Sequence, residues 1–336
     1  MSQSMSIYSL ITKIKQMKHF VKNLITKLVL SNKRKENRRL KAEKQRVKQD
    51  LPHTFIVYIA INDPLSYLLL QILPEIQQRY KVALQFKPVL KKNPAMFPEM
   101  TRWNENVLKD AIRLANLYQL QAPTTYATAS INNEQISQDY SLQLVKFSQQ
   151  DSFIEQALPL FQNYWQVAKQ NNNAVKQYKT DGHNRTALEK ILSKNEQALQ
   201  DNGHYLSATI FYGGEWYWGL ERLHHLEQRL NQLLLPTNPK IHYDKLHQPL
   251  QPYSQTTRTS KTVLKCYFSV RSPYSYLGLK RGIELAEHYQ ISLELKPVLP
   301  MLMRKLPVPK QKGLYIITDV KREADFFGIE FGDIAD

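Results

Sequence analysis

Two dipeptides, Ser272-Pro273 and Asp63-Pro64, stand where the chain could most readily do chemistry. Each follows a short apolar run, Val263 to Val270 in one case and Phe55 to Ala60 in the other, and each opens a segment of helical period. A helix start presents free backbone N–H groups and the positive end of the helix dipole, so it favours an anion. A serine hydroxyl there adds one directed donor and could stabilise a bound thiolate. A carboxylate does the reverse: it repels a thiolate and opposes the pKa depression that thiol chemistry needs. Asp63 before Pro64 has instead the form of an N-cap with proline at the first helical position, where its missing N–H does no harm. Ser272 also fits a plain N-cap, and spacing alone leaves both roles open for it.

The other reactive residue types point to blander roles. No histidine has a spacing that pairs it with Ser272 as in a Ser-His-Asp triad, and His288 reads as a surface side chain. The single cysteine, Cys266, rules out an internal disulfide and any Cys-x-x-Cys pair; inside a strand it reads as a small buried hydrophobe. His224 and His225 are adjacent rather than three or four apart, so no metal site is expected. Trp216, Tyr217 and Trp218 alternate as in a strand, which favours core packing over a binding wall. Lys296, Arg304, Lys305 and Lys310 form either a solvated basic face or an attraction for an anionic substrate.

The elements that position these residues occur twice. Shifting Cys266–Pro300 back by 209 positions reproduces its pattern, and residues 55 to 90 match 264 to 299 at thirteen of thirty-six gapless positions. Lys87-Pro88-Val89-Leu90 and Lys296-Pro297-Val298-Leu299 are identical, and Asp110/Asp319 and Arg113/Arg322 keep the same offset. The first copy reads as strand, helix to about Tyr80, strand, a set of polar helices with a break at Asp181-Gly182, then a hairpin at Gly213-Gly214 and a last helix. Pro74 is expected to kink or end the first of these helices.

The domain reading is 1–50 as a basic amphipathic helical region, 51–235 as the first domain with a helical insert, 236–260 as a proline-rich linker, and 261–336 as the first half of a second domain. At the same offset Asp336 falls on position 127, whereas the first copy runs on to Leu235. The second copy is therefore expected to be truncated, with too few strands, an uncovered edge and little or no turnover; the alternative is a genuine half-domain docked on the first.

The net charge of +17 is concentrated at one end: residues 1 to 50 hold fourteen Lys/Arg against Glu36, Glu43 and Asp50. Residues 6 to 30 place Ile7, Leu10, Ile11, Ile14, Met17, Val21, Leu24, Ile25 and Leu28 at helical spacing, followed by the basic tract Lys33 to Lys48. Such a segment either lies on an anionic membrane or a partner, or packs on its own protein. Few aromatics interleave the basic tract, which disfavours nucleic acid. The lysines interrupt any secretory-signal core, no uncharged apolar run is long enough to span a bilayer, and a cytoplasmic protein, peripheral to a membrane at most, is expected.

The segments FSVRSPYSYLGLKRGIEL, LELKPVLPMLMRKLPVP and YIITDVKREADFFGIEFG, with GGEWYWGLERLHHLEQRL in the first copy, resemble the 2-hydroxychromene-2-carboxylate isomerase family. These are relatives of the kappa-class glutathione transferases and of DsbA-like oxidoreductases. The resemblance implies an α/β thioredoxin-like fold with a helical insertion, here one complete copy plus a partial second, preceded by a basic N-terminal helix. It also implies glutathione as co-substrate of a small-molecule isomerase or transferase. The serine at the position of Ser272, followed by Pro273, would hold the thiolate, and Glu221 and Arg222 would recognise the γ-glutamyl end. Thiolate addition to a conjugated substrate loosens a double bond, permits rotation and is then reversed. The cysteine pair of the oxidoreductase branch is replaced here by Ser272 and Asp63, and Ala208 stands where the fold usually has a cis-proline, so a trans bond is expected. A non-catalytic binding or scaffold protein, docked by its basic helix, is the alternative reading.

Overall fold

The apolar runs form strands and the periodic segments form helices, in a computed structural model that describes residues 7–124, 134–166, 182–234, 240–247, 249–252 and 262–332. The chain divides into two compact units, a larger one spanning Ala42–Pro249 and a smaller one combining Met1–Lys41 with Leu250–Asp336. Two helices open the chain, α1 (Ile7–Leu30) and α2 (Asn32–Lys48), and the division falls within α2.

In the larger unit, β1 (Thr54–Ile59) leads into α3 (Pro64–Tyr80) and β2 (Ala83–Pro88). The helices α4 (Met100–Tyr118), α5 (Glu134–Phe147), α6 (Phe153–Gln166) and α7 (Gly182–Asp201) follow. The hairpin β3 (Thr209–Tyr212) and β4 (Glu215–Trp218) and then α8 (Leu223–Leu234) close the unit. Its sheet has the order β2-β1-β3-β4, with β1 and β2 parallel and the two later pairs antiparallel. Strand–helix–strand, helical insertion, hairpin and helix in this order is the thioredoxin-like plan, and the fold is mixed α/β. Phe55, Val57 and Ile59 alternate into one core with Leu68, Leu69, Ile72 and Ile76 of α3. Burial of this kind contributes about 1.5–3 kcal/mol per large side chain, enough to hold α3 intact through Pro74, which lies inside the helix and does not end it.

The hairpin turn requires glycine for a reason beyond its positive φ. Gly213 has φ +52°, and a Cβ there would meet the Arg229 guanidinium at 2.3 Å. That buried guanidinium donates to the Tyr212 carbonyl at 2.9 Å and to Glu215 at 3.2 Å, tying α8 to the sheet.

In the smaller unit, β5 (Val263–Phe268) pairs in parallel with β6 (Ser292–Pro297) around α9 (Pro273–His288), and α10 (Lys310–Phe327) follows. Its internal bonds repeat those of the larger unit 209 positions on. Val89 N–H donates to the Ile59 carbonyl at 2.8 Å, and Val298 N–H to that of Phe268 at 2.8 Å. Tyr67 Oη–H donates to the Gln121 side chain, and Tyr276 Oη–H to the Glu330 carbonyl. Arg113 pairs with Asp110, and Arg322 with Asp319. Cys266, expected to be buried, is half-exposed, because among the described residues β5 belongs to a two-stranded sheet, and its own side chains alternate between exposed and half-buried.

No helix among the described residues is long and apolar enough to cross a membrane.

Candidate functional site

The start of α3 carries the most developed constellation in the larger unit. Asp63 is extended (φ −117°, ψ 113°) and caps the helix, its Oδ1 accepting from Leu65 N–H at 3.1 Å. Two hydroxyls fill its other oxygen: Ser66 Oγ–H donates to Oδ2 at 3.1 Å, and Ser207 Oγ–H at 2.6 Å. Ser66 is itself fixed, accepting from Ala60 N–H at 3.0 Å. Asp63 is 6% exposed, so the helix start holds a built-in anion with its donors already assigned.

Ser207 reaches Asp63 through an unusual backbone. Its neighbour Ala208 is trans, as expected, but adopts φ +55°, fully buried, with its carbonyl accepting from Gly219 N–H at 2.8 Å. A left-handed alanine costs about 1–2 kcal/mol, and strain of this kind concentrates at functional sites.

Beside Asp63 opens a cleft of about 270 Å³ including its mouth. Lys92, Phe97, Trp103, Ser207 and Trp218 line it with Asp63. Phe97 meets Trp103 edge-on at 5.1 Å between centroids, and Trp103 stacks near Trp218 at 6.3 Å. Lys92 Nζ donates to Asn104 Oδ1 at 3.0 Å, and burial pushes its ammonium below the usual lysine range, with only partial compensation from Asp63.

Ser272 starts α9 in a matching conformation (φ −100°, ψ 117°), its Oγ accepting from Ser275 N–H at 3.3 Å. Ser275 Oγ accepts from Ser269 N–H at 3.1 Å, as Ser66 does from Ala60. The difference lies in the capping group: the hydroxyl of Ser272 accepts one bond and keeps a proton to give, whereas the carboxylate of Asp63 only accepts. Ser272 and Pro273 are both half-buried.

Ser272 and Pro273 thus belong to the smaller unit, and Glu221 and Arg222 to the larger one, between β4 and α8. Neither Glu221 nor Arg222 lines the cleft. Arg222 Nη1 donates to the Glu221 carbonyl at 3.4 Å, and the Glu221 carboxylate folds over Gly219. Trp218, read from the sequence as core, packs half-buried against the main core and also walls the cleft, while Tyr217 is fully buried within that core. Lys92, Trp103 and Ser207 escaped the sequence reading altogether; a lysine just after the Lys87-Pro88-Val89-Leu90 strand end was the one signal available. Lys296, expected on a basic face, is half-buried and pairs with Glu294 at 2.5 Å.

No family model matches the chain, and no curated protein matches it. Among solved structures, the chain is similar to a 2-hydroxychromene-2-carboxylate isomerase (HCCA isomerase), with 20% identity and a TM-score of 0.40 over 54% of this chain and 95% of that one.

Proposed function

We propose that the chain is a glutathione-dependent isomerase- or transferase-like protein of the 2-hydroxychromene-2-carboxylate isomerase family, built from two copies of one unit, with its thiol chemistry at the Ser272-Pro273 helix start. The observation that carries this is the contrast between the two helix starts: matching backbone and a matching second serine, but a hydroxyl at 272 and a saturated carboxylate at 63. A thiolate needs donors with protons left to give. Ser272 has one, while at Asp63 an internal carboxylate already occupies the anion position. Glutathione is the co-substrate, its thiolate adding to a conjugated small molecule and leaving after rotation. The γ-glutamyl role of Glu221 and Arg222 rests on the family resemblance alone. Calorimetric titration of the full chain with glutathione tests the assignment. Binding that Ser272→Ala abolishes and Asp63→Ala leaves intact supports it, and binding indifferent to Ser272→Ala sinks it.

A second reading, a non-catalytic binding protein docked by its basic helices to an anionic membrane, is favoured by one surface. Met17, Phe20, Val21, Leu24 and Leu28 of α1 are each at least 47% exposed and recur at helical spacing. The lysines around them and the basic α2 complement lipid phosphate, whereas a second copy of so basic a segment would repel the first.

A further inference from the structure

We propose that His224, His225 and His247 form a binding site for a divalent transition-metal ion, zinc being the ion that three imidazoles suit, and that the ion fastens the segment 240–247 onto α8. None of the three histidines has a part in the thiol reading.

Adjacent residues point about 100° apart around a helix, which is why the sequence offers no metal site at His224 and His225. Their rings converge nevertheless. In the first turn of α8 the two ring centroids lie 3.8 Å apart, and a ring nitrogen of one lies within 4.8 Å of a ring nitrogen of the other. The His247 ring centroid comes to 4.1 Å from that of His224. The planes are tilted by 39° and 58°, so the rings splay and do not stack face to face. Two nitrogens on one tetrahedral zinc stand about 3.4 Å apart at a Zn–N distance of about 2.0–2.1 Å, so modest ring rotations would bring these onto one ion. His224 and His225 are buried and His247 is half-buried, which leaves a way in from solvent on the side of His247.

The third histidine arrives by bonds that do not involve its ring. Glu227, further along α8, accepts from the backbone N–H of His242 at 2.9 Å and from that of Tyr243 at 2.7 Å. Tyr243 Oη–H donates to Glu75 at 2.9 Å, and Lys245 Nζ donates to the Leu117 carbonyl at 3.1 Å. His247 N–H closes the turn Lys245–His247 on the Asp244 carbonyl at 2.7 Å. The segment is thus docked by its own bonds, which spares the ion the cost of ordering it and holds the third ligand in place. The dipole at the start of α8 opposes a cation, but only weakly beside the coordination of zinc by three imidazoles.

The test uses zinc alone. The full chain, stripped with a chelator, is titrated with zinc by calorimetry, and the one-to-one complex is measured by X-ray absorption at the zinc edge. One equivalent should bind, with a nitrogen shell at about 2.0–2.1 Å, the scattering of three imidazoles and no sulfur shell from Cys266. His225→Gln and His247→Gln should each weaken binding by at least about tenfold, since even an outer-shell partner costs that much, while His288→Gln should leave it unchanged. An absence of stoichiometric binding, a sulfur shell, or full affinity retained by the folded His225→Gln or His247→Gln chain would overturn the proposal. Where a variant does not fold, the absorption spectrum of the unmutated chain decides: three imidazoles around the zinc uphold the site, and fewer overturn it.

Discussion

At the scale of single residues, the decisive difference is between a hydroxyl and a carboxylate at the start of otherwise similar helices. Asp63 is held by three donors, and Ser207→Ala removes the shortest of these bonds from a buried charge. A loss of about 1–3 kcal/mol is expected, read as a lower urea midpoint, while a midpoint unchanged by Ser207→Ala would mean that the bond contributes nothing. Lys92→Met should act in the opposite direction. It keeps the stem and removes an ammonium whose burial is only partly compensated by Asp63, so stability should rise, read as a higher urea midpoint. His53 adds a pH dependence. Burial first, then Arg46, depresses its pKa below the ordinary 6.5, so the fold holds it neutral beside the Tyr212 hydroxyl at 2.7 Å. That stability is present above about 6.5 and is lost as pH falls through the lower folded value, because the unfolded chain takes up the proton first. The urea midpoint of the full chain should therefore fall between about pH 7 and about pH 5, and His53→Gln should flatten that slope.

At the scale of elements, the sequence pattern carried more of the scaffold than of the cleft. Strands such as Phe55–Ala60 and the hairpin at Gly213-Gly214 were legible because alternation and turn chemistry are local, and Asp63 was legible as a cap because Asp-Pro has a local reason to start a helix. Pro74 misled, because a helix buried on the core face of β1 is held by packing that propensity does not register. The cleft was illegible for a different reason. Its residues come from positions 63, 92, 103, 207 and 218, which only the sheet order β2-β1-β3-β4 brings together. Alternation in Trp216–Trp218 told which residues share a face but not which face is the core. The exposed stripe of α1 leads to a prediction at this scale. If the basic helices dock on lipid, the full chain should sediment with phosphatidylserine-containing vesicles and not with phosphatidylcholine alone. Leu24→Glu and added salt should each weaken that sedimentation severalfold; equal sedimentation with both vesicle types would contradict lipid docking through this face.

At the scale of the whole molecule, two compact units carry strand–helix–strand segments whose bonds correspond position by position at an offset of 209 residues. Thirteen sequence identities announced that correspondence, yet they could not show how the two helix starts differ in hydrogen bonding. The larger unit adds the helical insertion, the hairpin and α8, and with them a cleft beside a helix start whose anion is its own. The smaller unit offers Ser272, a donor with a proton to give. Thiol binding is proposed at the Ser272 helix start and not at that of Asp63. The thiolate absorbance of glutathione, titrated against pH with the full chain in excess, tests this most directly. The account predicts a glutathione thiol pKa lowered on binding, restored to its free value by Ser272→Ala and unmoved by Asp63→Ala. A thiol pKa that stays at its free value with the unmutated chain, or that moves back only when Asp63 is changed, would contradict it.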